Sequence, residues 1–119
     1  MLRIGREQGA ARVVDDQMGS PTYTADLAKA LRLLVARPVY GLYHLSNQGV
    51  CSWHDFAAEI FARAGLDVKL GAMKSSELTR PAPRPAYSVM DNQMWRVSGF
   101  ELLRDWREAL AEYLRVAGT

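Results

Sequence analysis

An α/β fold is what this sequence predicts, and three observations predict it. The stretch from Val13 to Ala28 passes from two apolar residues through Asp15-Asp16-Gln17 and the turn Gly19-Ser20-Pro21-Thr22 into a helical pattern, which reads as strand, loop, helix. That helix is followed by Tyr40-Gly-Leu-Tyr-His-Leu45, an aromatic and aliphatic run of strand character, so helix and strand alternate. Helical periodicity then returns behind Ser52 and again behind Asp105. The expectation is three main helices with a few short strands in a single domain over 1–119, a length that buries roughly two-thirds of the unfolded chain's surface.

Taken in order, Met1 and Ile4 open a helical spacing that Gly9 stops, and a helix beginning on its own first residue looks cut short. Val13-Val14 is the first strand. Leu27, Ala30, Leu31, Leu34 and Val35 recur at three and four residues and place one apolar stripe on a helix. Thr24 is the expected N-cap, Asp26 suits the positive end of the helix dipole, and Arg37-Pro38 ends the helix. Tyr40 to Leu45 is expected as a buried strand closing in Ser46-Asn-Gln-Gly49. Ser52-x-x-Asp55 resembles a capping box, and Trp53, Phe56, Ala57, Ile60, Phe61 and Ala64 follow with helical spacing up to Gly65. Val68-Lys-Leu70 reads as a short strand and Ser75 to Glu77 as a turn or a single helical turn. Arg80 to Ser88 holds three of the five prolines, so it is stiff and extended, and is expected as a loop packed on the body rather than a linker. Asp91 is placed as the cap of a short helix through Trp95, and a last helix runs from near Asp105 to Val116 with Trp106, Leu110, Tyr113 and Leu114 inward.

Composition excludes several functions. Apolar residues at 49% and charged residues at 24% describe a globular chain, not a disordered one. With 15 basic and 13 acidic residues interspersed for a net charge of +2, no basic block points to nucleic acid or a membrane surface. The single Cys51 permits no intrachain disulfide, and with His44 and His54 it provides no zinc-type spacing. No apolar run reaches about 18 residues or has the character of a signal peptide, so a cytoplasmic location fits best.

Catalytic chemistry finds little support in the residues themselves. His44 reads as a packed strand residue and His54 as a solvent-facing one. Cys51, near a helix start, could have a lowered thiol pKa but lacks a partner base. Asp15 and Asp16, adjacent in an extended strand, should point to opposite faces and so cannot form a carboxylate pair. Binding is better served. Arg80 and Arg84 on a proline-stiffened loop are either phosphate ligands, through bidentate guanidinium contacts, or solvated side chains. Gln17 and Thr22 offer neutral donors and acceptors that either meet a ligand or close the local turn. Tyr87 and Ser88 would complete the same pocket or serve as strand residues.

These residues also carry a resemblance. Val13-Val-Asp-Asp-Gln-x-Gly-Ser-Pro-Thr-Tyr-Thr-x-Asp-Leu-Ala28 is similar to the start of the substrate-binding portion of dTDP-4-dehydrorhamnose reductases, which are extended short-chain dehydrogenases. Gly41-Leu-Tyr-His-Leu-Ser-Asn47, Ser52-Trp-His-Asp-Phe-Ala57, Arg84-Pro-Ala-Tyr-Ser-Val-Met-Asp-Asn92 and Trp106-Arg-Glu-Ala-Leu110 match in the same order. The resemblance implies reduction of a 4-keto dTDP-sugar to dTDP-L-rhamnose with NADPH or NADH. It implies substrate-binding roles for Gln17, Thr22, Arg84, Tyr87 and Ser88, Arg84 meeting the pyrophosphate. In such enzymes the N-terminal Rossmann half carries a Gly-rich phosphate loop and a Tyr-x-x-x-Lys pair, and neither occurs here: no tyrosine of this sequence has lysine four residues later. The expected partners are therefore a dTDP-sugar and a separate or missing Rossmann half, with no cofactor held by this chain alone and none of its residues catalytic.

Two other readings stand beside this one. A non-catalytic regulatory or interaction protein could keep the fold without the chemistry, and another nucleotide-sugar enzyme such as an epimerase shares the superfamily, although Asp-Asp-Gln-x-Gly-Ser-Pro-Thr and Arg-Pro-x-x-Ser favour the reductase. Strands that would pair with a cofactor-binding sheet are expected to leave an open edge here, and with it a tendency to self-associate.

Overall fold

The computed structural model describes residues 1–118. Helix α1 (Leu2–Gln8) leads through Gly9 into strand β1 (Ala10–Val14), which pairs in parallel with β4 (Lys69–Met73), Ala10 opposite Lys69 and Val14 opposite Met73. A second, smaller sheet joins β2 (Met18–Gly19) antiparallel to β3 (Cys51–Ser52). Between these lie α2 (Thr24–Val35) and α3 (Trp53–Arg63), and after β4 come a 3-10 turn (Ser75–Glu77), α4 (Gln93–Val97) and α5 (Trp106–Ala117). Three long helices and a few short strands are thus what the chain forms.

Local chemistry explains the best-defined boundaries. Ser52 Oγ accepts from Asp55 N at 3.0 Å while Asp55 Oδ2 accepts from Ser52 N at 3.1 Å, so the capping box at the head of α3 is complete. At its other end, Leu66 N donates to Phe61 O and Gly65 N to Ala62 O, a Schellman closure that needs the left-handed φ of 63° which Gly65 supplies without strain. Asp105 caps α5 by accepting from Arg107 N at 2.8 Å.

Two apolar clusters hold the elements together. One packs Ala57, Ile60 and Phe61 of α3 against Trp106, Leu110 and Leu114 of α5, with β1 and β4 along one side. In the other, Ala30 of α2 meets Trp95 and Phe100, whose rings stack with centroids 4.3 Å apart.

Several expectations are corrected. Tyr40 to Leu45 forms no strand; Tyr43 and Leu45 pack on the Trp95 cluster while Tyr40 and Leu42 stand 91% and 76% exposed, because no neighbouring strand lies among the described residues to pair with them. His44, placed in that strand, is exposed in a loop. The stripe on α2 is narrower than its periodicity suggests: Ala30 is buried and Leu34 packs beside it, whereas Leu31 and Val35 face outward. Tyr23, not Thr24, is the N-cap of α2, and its backbone N–H is met by the Asn47 side chain from outside the helix. Asn92, not Asp91, caps α4, adopting a left-handed φ of 59° that asparagine tolerates better than most residues. On α5, Tyr113 is exposed and Ala109 takes the inward position. Trp53, expected inside α3's apolar face, is also largely exposed.

Candidate functional site

Where β1 ends, the chain turns, and the Asp15-Asp16-Gln17 stretch is fastened to the turn after β4. Lys74 Nζ lies 2.9 Å from Asp15 Oδ1, and Ser75 donates to Asp16 from both its N (2.9 Å) and its Oγ (2.6 Å). The two acids therefore reach the same turn rather than opposite faces, because the extended backbone stops at Val14. The Ser75 hydrogen bonds hold the Asp16 carboxyl below its ordinary pKa, and Asp15 raises that of Lys74. Gln17 is buried with Nε2 donating to Ser75 Oγ at 2.8 Å, which aligns the amide but does not consume its carbonyl.

The next residues meet the proline-rich loop. Met18 N donates to Ala86 O (2.8 Å), Ser88 N to Met18 O (2.9 Å), and Ser88 Oγ to the same carbonyl (3.1 Å), so Tyr87 is bracketed in a parallel bridge with Met18. Met18 is thereby joined to Tyr87 and Ser88 from about 70 residues away, while the side chain of its neighbour Gln17 is engaged by Ser75. Tyr87 is 63% exposed and lines a cleft of about 470 Å³ with Ser20, Gly49, Val89 and Arg96. Residues 80–88 are exposed throughout; the loop is anchored at 86–88 and stands off the body elsewhere, since its prolines supply no donors. Among the described residues, Arg80 and Arg84 have neither an ion-pair nor a hydrogen-bond partner. Thr22 is not with this group: its Oγ1 donates to Ser20 O within the turn and accepts from Asn47 N across the fold.

Behind the cleft lies a buried polar hub that sequence reasoning missed. Asn47, 1% exposed, accepts from Tyr23 N at 2.8 Å and donates to Asp26 Oδ2 and to Arg104 O, both at 3.1 Å. Arg104 grips Asp26 through Nε and Nη2, each at 2.8 Å. These bonds hold the Asp26 carboxyl below the usual range, the Arg104 hydrogen bond first and the Asn47 amide in addition, against the opposing effect of burial. Asn92 mimics a peptide group toward Ser46, accepting from its N and donating to its O at 3.1 Å each. The only advance signal was Asp26, an acid one turn before Ala30 on an inward helix face, which must find a cation.

Gly49 shows how tightly the hub is built. Its φ is +87°, and a Cβ there would lie 2.6 Å from Asp105 Oδ2 and 2.7 Å from Trp106 Cδ1. A side chain cannot be accommodated without moving the head of α5.

Cys51 is buried and its thiol is pushed up to about 11 by burial and by Asp55, so it stays protonated, contrary to the expected lowering. His54 Nδ1 is 4.0 Å from Asp55 Oδ1, beyond a hydrogen bond, with Asp55 committed to the capping box. Among the described residues no group of three or more metal-ligating side chains occurs, and no helix is long and apolar enough to cross a membrane.

Fold and site together define a small α/β fold in which the chain at Met18 crosses the proline-rich loop, with a hub of buried polar groups behind the crossing. The chain belongs to the family described as RmlD substrate binding domain, which it matches over residues 1–118. It is 44% identical over 115 residues to the spore coat polysaccharide biosynthesis protein SpsK of Bacillus subtilis, covering 97% of this chain and 40% of that one. It is 42% identical over 118 residues to the dTDP-4-dehydrorhamnose reductase of Streptomyces griseus, covering 94% of this chain and 39% of that one. Among solved structures, a dTDP-4-dehydrorhamnose reductase from Clostridium acetobutylicum superposes with a TM-score of 0.95 at 39% identity, over 99% of this chain and 42% of that one. One from Bacillus anthracis, in complex with NADP, gives 0.91 at 39% identity, over 97% and 40%. The chain spans about two-fifths of the length of these relatives.

Proposed function

We propose that this chain is the substrate-binding part of a dTDP-4-dehydrorhamnose reductase, contributing recognition of a dTDP-sugar while the rest of the enzyme supplies NADPH or NADH and the proton-transfer tyrosine. The observation that supports the reading is the crossing of Met18 with Ala86 to Ser88, which joins the chain next to Gln17 to the loop that carries Tyr87, Ser88 and an Arg84 with its full donor set available. Arg84 binds the pyrophosphate, the free carbonyl of Gln17 and the Tyr87 and Ser88 hydroxyls meet sugar or thymine groups, and Thr22 shapes the turn that presents them. A cytoplasmic location accompanies this reading, consistent with the unpaired Cys51.

The test is a chimera in which residues 1–118 replace the matched region of the Streptomyces griseus reductase. Turnover of the 4-keto dTDP-sugar, followed by oxidation of NADPH or NADH, is the expected result. A folded chimera that binds the nucleotide cofactor but neither binds the dTDP-sugar nor turns it over would contradict the reading and favour a non-catalytic role.

A further inference from the structure

Ser75 begins the 3-10 turn after β4, and that turn is fastened to β1 on both flanks. Asp15 N donates to Met73 O at 3.1 Å, extending the β1–β4 pairing by one bond. Lys74 N donates to Glu77 Oε1 at 2.7 Å, and Glu77 Oε2 accepts from Arg12 Nη2, also at 2.7 Å. A side chain on this turn is therefore held in register with the end of β1, where Asp16 and Gln17 follow.

The Ser75 hydroxyl has one hydrogen, and its surroundings decide where that hydrogen goes. Its Oγ lies 2.6 Å from Asp16 Oδ1, a distance that requires a proton between the two oxygens. Asp16, kept ionised by the Ser75 hydroxyl and backbone N–H, can only accept, so Ser75 must donate. Toward any other neighbour Ser75 Oγ is left as an acceptor. The Gln17 atom 2.8 Å away must then be the amide nitrogen, which turns the carbonyl away from Ser75. Gln17 is 7% exposed, and among the described residues its Oε1 has no hydrogen-bond partner. A nearly buried carbonyl without a donor is costly, and a ligand that brings a donor removes the cost.

We propose that Ser75, oriented by Asp16, is a positioning residue that fixes the polarity of the Gln17 amide, so that Gln17 presents its carbonyl to a neutral hydrogen-bond donor of the substrate. The inference rests on the dTDP-sugar reading and names what Gln17 recognises within it. The donor is a sugar hydroxyl or a group of the nucleoside, the thymine N–H included. A phosphate oxygen or a keto oxygen has no hydrogen to give and is not the partner of this carbonyl.

The test is binding of dTDP-L-rhamnose and of dTDP to the isotopically labelled chain and to its Ser75→Ala, Ser75→Thr, Gln17→Leu and Ser75→Ala/Gln17→Leu variants. Ser75→Ala should weaken binding of dTDP-L-rhamnose about 5-fold or more, the worth of one hydrogen bond. Ser75→Thr keeps the hydroxyl and should restore it. In the Gln17→Leu background Ser75→Ala should have no further effect, because its influence runs through the amide. An equal loss for dTDP assigns the donor to the nucleoside, and a loss seen with dTDP-L-rhamnose alone assigns it to the sugar. In the wild-type chain the Gln17 Nε2 protons should give cross-relaxation peaks to the Ser75 β protons, a measurement independent of any variant's folding. Absence of those peaks, unchanged binding in Ser75→Ala, or a loss that persists in full in the Gln17→Leu background would each overturn the inference while leaving the substrate reading in place. A wild-type chain that binds neither ligand would overturn both.

Discussion

The buried hub around Asn47 and the proline-rich loop from Arg80 to Ser88 use polar groups in opposite ways. In the hub each polar side chain is satisfied inside the protein: Asn47 has three partners, Arg104 grips Asp26 at two points, and Asn92 matches the peptide group of Ser46. Such groups fix geometry and have nothing left to offer a ligand. In the loop only the backbone at 86–88 and Ser88 Oγ are engaged, and the Arg80 and Arg84 guanidiniums project without partners. If the loop side chains recognise the ligand as proposed, substitutions should affect stability in one region and affinity in the other.

The largest stability loss should come from Arg104→Ala, which leaves the Asp26 carboxylate, only 9% exposed, without its cation. A loss of about 3 kcal/mol is expected in denaturant unfolding, and a loss under 1 kcal/mol would mean that the hub is not a structural centre. Gly49→Ala should cost about 2 kcal/mol by the same measurement, because its left-handed backbone and the contacts to Asp105 and Trp106 both oppose a Cβ. Ser52→Ala removes half of the capping box and should cost about 1 kcal/mol.

Acid should probe the hub separately. The folded pKa of Asp26 lies below its ordinary value, so the stabilisation from ionised Asp26 is complete above about pH 4 and is lost as pH falls through the folded value. Asp16 and Asp55 are shifted the same way by Ser75 and Ser52, so unfolding below pH 4 is a shared effect. The Arg104→Ala variant should show a shallower fall in stability across that window, and an unchanged slope would place the acid sensitivity elsewhere.

At the loop the expectation reverses. Arg84→Ala should change stability by less than about 0.5 kcal/mol, as an exposed side chain without partners, yet weaken binding of a dTDP-sugar about 10-fold or more through loss of a charge-assisted contact. Equal effects on stability and binding would erase the contrast between the two regions.

The same contrast explains what was legible in the sequence. Features set by neighbours in the chain are read directly: the Ser52–Asp55 box, the Gly65 stop, the Asp105 cap and, Trp53 and Tyr113 apart, the inward faces of α3 and α5. Features that join distant segments are not. Nothing local says that Asn47 will accept from Tyr23 N, that Arg104 among many arginines will take Asp26, or that Asp15 and Asp16 will both meet the turn at 74–75. Tyr40 to Leu45 failed for a related reason, since its strand character is a property of composition whereas a strand also needs a partner. The proposed binding residues lie between these cases. Gln17, Tyr87 and Ser88 stand out by residue type, whereas the pairing of Met18 with residues 86–88 needs the fold.

The most direct test of the central claim is a titration of the isotopically labelled chain with dTDP-L-rhamnose, following backbone amide and arginine side-chain resonances. Shifts confined to the Asp15–Thr22 turn and the Arg84–Ser88 loop, with the amides of Asn47, Asp26 and Asn92 unmoved, are the predicted result. Shifts centred on the hub, with the Arg84 loop silent, would contradict it.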